Sequence, residues 1–236
     1  MIRPALDEAL RIDEGLYDIV PISTELFADE ITPIALLRKL KKISSHCFIL
    51  ESAEDSKRWG RYTFLGFDPK LEITALNGDV KISSKASGET KLFKGDNPNG
   101  HIQKILDNHR GFKFDYLPPF AGGLVGYFAY DYAKYSEPTL DLNAPDRENF
   151  QDVDLMLFDK VIAFDHYRQK IILIVNINVK NIKTEYERGV KAIAQLKDII
   201  ENGKPDTMTG GQIKSEFKAL FTKDEYCSMV GERSII

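Results

Sequence analysis

The stretch LMLFDKVIAFDHYRQKIILIVNI (residues 155–177) decides the fold class. Its two apolar runs flank a polar turn at 165–170, and such near-continuous hydrophobicity predicts two strands buried on both faces, set centrally in a sheet. Upstream, LEITALNGDVKIS (71–83) alternates Leu71, Ile73 and Ala75 with Val80 and Ile82 across Asn77-Gly78, the strongest short-range signal for a type I′ hairpin. The sheet is therefore expected to be antiparallel. HCFILES (46–52) predicts a short strand, and RYTFLGF (61–67) a second after a polar loop.

Helical spacing appears between these strands. TPIALLRKLKKIS (32–44) predicts a helix capped by Thr32, with Pro33 at its first position and Leu36, Leu37, Leu40 and Ile43 on one stripe. HIQKILDNHRG (101–111) predicts a shorter one, with Ile102, Ile105, Leu106 and His109 on one side and Gly111 just past its end. TEYERGVKAIAQLKDIIENG (184–203) predicts a third, opened by a Thr184/Glu187 capping box, striped by Val190, Ile193, Leu196 and Ile200, and stopped by Gly203. The fold class is α+β, a largely antiparallel sheet flanked by helices. Residues 1–203 form one domain, 204–220 a Gly/Thr/Lys/Pro-rich linker, and a Thr222/Glu225 capping box starts a new helix over 221–230. Because GERSII neither extends that helix's apolar stripe nor closes a domain, 221–236 is expected to be the truncated start of a further domain.

Composition narrows the function. The 236 residues are 43% hydrophobic and 29% charged, enough for a sizeable core. Acids outnumber bases 36 to 32 with the signs interspersed, which argues against a nucleic-acid partner. Cys47 and Cys227 sit far apart without a CxxC, so neither a zinc site nor a disulfide framework is expected, and a reducing, cytoplasmic setting is. No apolar run of about 18 residues suggests membrane spanning.

No nucleophile elbow, phosphate loop or dinucleotide fingerprint occurs. Gly122, Gly123 and Gly126 in AGGLVGYFAYDY (121–132) read as strand positions with a bulge or close backbone approach. His46, His101, His109 and His166 are scattered and read as structural or solvated. The carboxylates of DVDLMLFDKVIAFD (152–165) fit paired acids and strand ends equally well. Glu51 and Ser52 stand apart, since a carboxylate and a hydroxyl closing an apolar run need partners. Arg61 is a candidate partner for Glu51, and the backbone of residues 54 and 55 for Ser52. The alternative is a small ligand bearing both an ammonium and a carboxylate.

FILESAE (48–54), GRYTFLGFDP (60–69) and PPFAGGLVGYFAYDY (118–132), in that order, resemble the amino-terminal domain of anthranilate synthase component I, within the chorismate-utilising superfamily. The likeness runs from about Phe27 to the end of the chain. It implies an L-tryptophan feedback site at Leu50, Glu51 and Ser52, with Arg61, Tyr62 or Thr63 lining it, and allosteric inhibition. It also implies a lyase that needs magnesium and a separate glutamine amidotransferase subunit. The catalytic motifs of that family are missing, so no catalytic or metal residue is carried over. No cofactor is assigned to this chain, which alone is expected to be inactive and to self-associate through a face left uncovered. Two other readings stand beside this one: an aminodeoxychorismate synthase large subunit, and a free-standing amino-acid-binding module.

Overall fold

The computed structural model describes residues 1–52, 60–85, 87–95, 97–137, 139–140, 149–205, 214, 216 and 218–233. The chain divides into two compact units, Met1–Asp206 and Thr207–Ile236.

The first unit contains two five-stranded antiparallel sheets with helices, the first of them the short α1 (Leu6–Ala9), an α+β architecture. In the first sheet, β1 (Ile19–Phe27), β2 (Cys47–Leu50), β3 (Tyr62–Phe67), β9 (Lys160–Asp165) and β10 (Lys170–Asn178) take the order β1-β10-β9-β3-β2. The second takes the order β6-β5-β4-β8-β7, from β4 (Leu71–Leu76), β5 (Asp79–Ser84), β6 (Thr90–Phe93), β7 (Gly123–Phe128) and β8 (Val153–Phe158).

The 155–177 stretch behaves as its composition predicts, with one correction. β9 and β10 are central and buried on both faces, joined by the polar 165–170 turn. The first apolar run, however, is two strands. It breaks at Asp159, where the chain leaves the second sheet and enters the first. Hydropathy does not register this break, because β8 and β9 are both rich in apolar residues and one residue suffices to change sheets.

Burial explains the layers. Ile162, Phe164, Ile171, Leu173 and Val175 on one face of the first sheet pack with Leu36 and Leu40 of α2 (Pro33–Lys41) and Ile193 and Leu196 of α4 (Ile182–Asn202). Each such side chain contributes roughly 1.5–3 kcal/mol when taken from water. Val161, Ala163, Ile172 and Ile174 on the opposite face pack with Phe64, Leu117 and Phe120. The second sheet buries Ile73, Val80, Leu155 and Leu157 against Ile105 of α3 (Pro98–Asp107).

Local signals held where the chemistry was local. The Thr32 hydroxyl accepts from the Ala35 amide at 3.2 Å, capping α2. Asn77 and Gly78 both have positive φ (50° and 84°), the pair a type I′ turn demands, between Leu76 and Asp79 in register. An added Cβ on Gly126 would lie 1.9 Å from the Asp154 carbonyl oxygen, a close approach that only glycine permits. Four expectations need correcting. α3 starts earlier, capped by Asn97 with Pro98 at its first turn, and its end is capped by Asn108 and not Gly111. Gly111 instead bridges to Ile19. α4 is entered through Asn181 in the left-handed region, so Thr184 and Glu187 lie inside the helix and form no capping box. The strand at 121–132 ends at Phe128, and Tyr130–Tyr135 is a 3-10 helix. The predicted linker lies largely outside the described residues.

In the second unit α5 (Lys223–Arg233) opens with the predicted capping box. The Thr222 amide donates to Glu225 Oε2 (2.7 Å) and the Glu225 amide to Thr222 Oγ1 (3.2 Å).

Candidate functional site

Strand register brings the predicted site residues to one end of the first sheet. Tyr62 pairs with Asp165, Asp165 with Lys170 and Lys170 with Phe27, which forms the terminal row. Leu50 pairs with Phe64, two residues inward on β3. Side chains alternate along a strand, so Leu50, Tyr62, Asp165 and Lys170 share the face that carries Phe64, Ala163 and Ile172, opposite the helices. Leu50, Glu51 and Ser52 are exposed, and β2 ends at Leu50 as it reaches this edge. The residues 54 and 55 proposed for Ser52 lie outside the described set.

Arg61 is bound to a partner other than Glu51. Its Nε donates to Asp165 Oδ1 at 3.0 Å and an Nη to Oδ2 at 2.7 Å, a bidentate pair in which the carboxylate is 1% exposed and the guanidinium 33%. The amides of Tyr167 and Arg168 also donate to Asp165 Oδ1. Burial pushes the Asp165 carboxyl upward, but the hydrogen bonds from Arg61 and the turn amides outweigh it and hold the group below the usual carboxylate range. The same pair raises Arg61. Its guanidinium also lies over the rings of Tyr62 (4.8 Å) and Tyr167 (5.6 Å). Sequence spacing could not select Asp165 over Glu51 as the partner, because 104 residues separate Arg61 from Asp165 and only the β3-β9 register joins them.

Neighbouring groups complete the edge. Thr63, 1% exposed, shares a 2.8 Å hydrogen bond with His166 Nε2. Glu25 takes hydrogen bonds from Lys170 and from Arg168 (2.9 Å), and the Lys170 contact, stronger than the opposing burial, lowers its carboxyl. A cleft of about 290 Å³ opens beside them, lined in part by Glu25, Phe27, Lys170, Ile172 and Tyr116. Burial pushes the Tyr116 phenol up to about 12. At this end of the sheet Phe27 is exposed on β1 and Leu50 on β2, the two outer strands, with Tyr167 exposed in the turn between β9 and β10 and paired charges between them. Sequence reasoning missed Asp165, Tyr167 and Glu25; the polar turn that closes the 155–177 hairpin was the available signal.

Among the described residues no three His, Cys, Asp or Glu side chains gather to hold a metal ion, and no helix is long and apolar enough to cross a membrane.

Similarity to known proteins agrees with this architecture. The chain is 32% identical to anthranilate synthase component 1 of Aquifex aeolicus over 96% of its length, which is 46% of that protein. It is 35% identical to the component 1 of Acetivibrio thermocellus, over 84% of this chain and 39% of that one. The Arabidopsis thaliana anthranilate synthase alpha subunit 2 matches at 32%, over 91% and 37% respectively. The chain thus spans less than half the length of these relatives. The crystal structure of anthranilate synthase component I from Streptococcus pneumoniae has the same fold, with a TM-score of 0.54 at 21% identity over 88% of this chain and 44% of that one. The model of the chorismate binding enzyme family matches residues 45–234, from β2 through both sheets into α5, and with that coverage the chain belongs to the chorismate-binding enzymes.

Proposed function

We propose that this chain is the amino-terminal, tryptophan-sensing portion of an anthranilate synthase component 1. The whole enzyme would convert chorismate to anthranilate and pyruvate with ammonia from a glutamine amidotransferase subunit. The observation that carries the reading is that the β2-β3 register sets Leu50, the last residue of β2, opposite Phe64, two residues from Tyr62 and next to the start of β3 at Arg61 and Tyr62. In it, Glu51 meets the tryptophan ammonium and Ser52 adds a polar contact, with Leu50 and Tyr62 beside the ring. Arg61, neutralised by Asp165, serves as a stacked plane that orders the edge and does not act as a lone charge. Inhibition is allosteric: bound tryptophan biases the packing of this segment against the catalytic part, and the coupling is reciprocal. The magnesium that the family resemblance implies is assigned to that catalytic part. The isolated segment is inactive and, with a partner face uncovered, self-associates.

The test uses the full-length protein that carries this segment, supplied with chorismate, magnesium and ammonia and followed by anthranilate fluorescence. Ser52→Ala is expected to raise the tryptophan concentration for half-inhibition about tenfold, the effect of losing a contact worth roughly 1.5 kcal/mol. Turnover without tryptophan should stay within about twofold of the parent, since Ser52 is assigned no part in it. Unchanged tryptophan sensitivity would count against the site. Consumption of chorismate without anthranilate would move the reading to aminodeoxychorismate synthesis.

A further inference from the structure

The cleft of about 290 Å³ beside β1 and β10 takes no part in the tryptophan reading, since β9 and β3 lie between β10 and the β2 strand that carries Leu50. Phe27 pairs with Lys170 and Glu25 with Ile172 across β1 and β10, and all four line it together with Tyr116 and Leu117. Residues 1–3 close one side. The Arg3 amide donates to the Ser23 carbonyl (2.9 Å), the Ser23 amide to the Arg3 carbonyl (2.7 Å) and the Thr24 hydroxyl to the Met1 carbonyl (3.1 Å). The backbone of Arg3 is thus fixed beside the cleft that its side chain lines.

Charge in this cleft is unbalanced. Among the described residues Glu25 is the only carboxylate that lines it, and Glu25 is already shared by Lys170 and Arg168. Arg3 is exposed, and no carboxylate among the described residues pairs with it. Its guanidinium lies over the Tyr116 ring, 4.6 Å from the centroid, a contact that positions the cation without neutralising it. A guanidinium so placed presents a planar fork of N–H donors, and a carboxylate matches that fork with two parallel hydrogen bonds. Arg61 shows the closed form of this arrangement, with Asp165 in the fork; Arg3 has the ring contact and lacks the acceptor. Apolar surface adjoins the cation: Phe27 is 77% exposed, and Leu117 and Ile172 line the same space. The volume lies at the small end for ligand sites and suits one ring better than two.

We propose that this cleft binds a monoanionic one-ring carboxylate of the benzoate type. The carboxylate takes the fork of Arg3, Lys170 adds positive potential, and the ring lies against Phe27, Leu117 and Ile172. An ammonium on the same ligand would face Arg3 and Lys170, so the cleft disfavours amino acids. The inference does not rest on the tryptophan site proposed above.

Isothermal titration of the 236-residue chain with benzoate, benzamide and acetate tests it. Benzamide keeps the ring and shape without the charge, and acetate keeps the charge without the ring. The expected result is saturable one-to-one binding of benzoate, about tenfold or more tighter than either control. Arg3→Gln should bring benzoate and benzamide within about twofold of each other, and Phe27→Ala should weaken both while keeping their ratio. Ser52→Ala should leave benzoate binding unchanged, which separates this cleft from the tryptophan site. If Arg3→Gln does not fold, the preference of the parent chain for benzoate over both controls still decides. No saturable benzoate binding, a control that binds as tightly as benzoate, a benzoate preference that survives Arg3→Gln, or benzoate binding lost in Ser52→Ala would each overturn the proposal.

Discussion

Replacing Arg61 by Met should expose how the candidate edge is held. The substitution keeps the length and apolar stem of the side chain and deletes two charge-assisted hydrogen bonds to Asp165. Asp165, 1% exposed in the parent, then retains only the amides of Tyr167 and Arg168. Breaking a buried pair from this side leaves an uncompensated buried charge, with a cost on the order of 3–5 kcal/mol. The lower end applies, about 3 kcal/mol, because Arg61 itself is one-third solvated and its pairing is partly screened. Asp165→Asn should cost less, about 1–2 kcal/mol, since the neutral amide still accepts from the turn and the released guanidinium can reach water. The pH dependence has a definite sign. Asp165 is held below its ordinary value, so its ionisation contributes stability that is fully present above about pH 4 and lost as pH falls through the lowered native value. In Arg61→Met the desolvation is no longer outweighed and the native value rises, so ionisation opposes folding at pH 7 and protonation relieves it. Urea unfolding followed by circular dichroism at pH 7 and near pH 3.5 should show the gap between parent and Arg61→Met narrowing towards low pH. A gap that is independent of pH, or Asp165→Asn proving the more damaging change, would refute the reasoning.

Other sites give sharper local tests. Gly126→Ala places a methyl 1.9 Å from the Asp154 carbonyl oxygen, backbone against backbone, so β7 must shift from β8. A loss of about 1–3 kcal/mol, lowering Tm by several degrees in a thermal melt, is expected. Asp152 Oδ2 accepts from the Asn77 amide and the Tyr135 hydroxyl, both at 2.7 Å, and Oδ1 from Lys134 at 2.8 Å, tying the type I′ hairpin to the 3-10 helix. Asp152→Ala should cost about 3 kcal/mol, and hydrogen exchange should speed up at Asn77 and Gly78 before it does in β9 or β10.

Legibility followed the range of the interactions. The Asn77-Gly78 turn, the Thr32 cap and the Thr222/Glu225 box were readable because each is satisfied within a few residues. The ends of α3 and the entry to α4 were misread because Gly111 and the Thr184/Glu187 spacing drew the boundaries, whereas Asn97, a strong N-cap residue, starts α3 and Asn181 enters α4 from the left-handed region without a side-chain cap. At the candidate edge, the motif around Leu50, Glu51 and Ser52 drew attention to the end of β2. It could not supply Asp165 as the partner of Arg61, or the Glu25–Lys170 contact that flanks it.

By itself the sequence determined the α+β class, the centrality of 160–175 and the family likeness, because periodicity, turn chemistry and contiguous motifs are written along the chain. Tertiary structure decided that there are two sheets, that Asp159 is the crossing point between them, and that residues near positions 25, 61 and 165 form one edge. The physical reason is strand register: pairing of β1, β10, β9 and β3 brings together side chains more than a hundred residues apart, and no local propensity encodes which row they share.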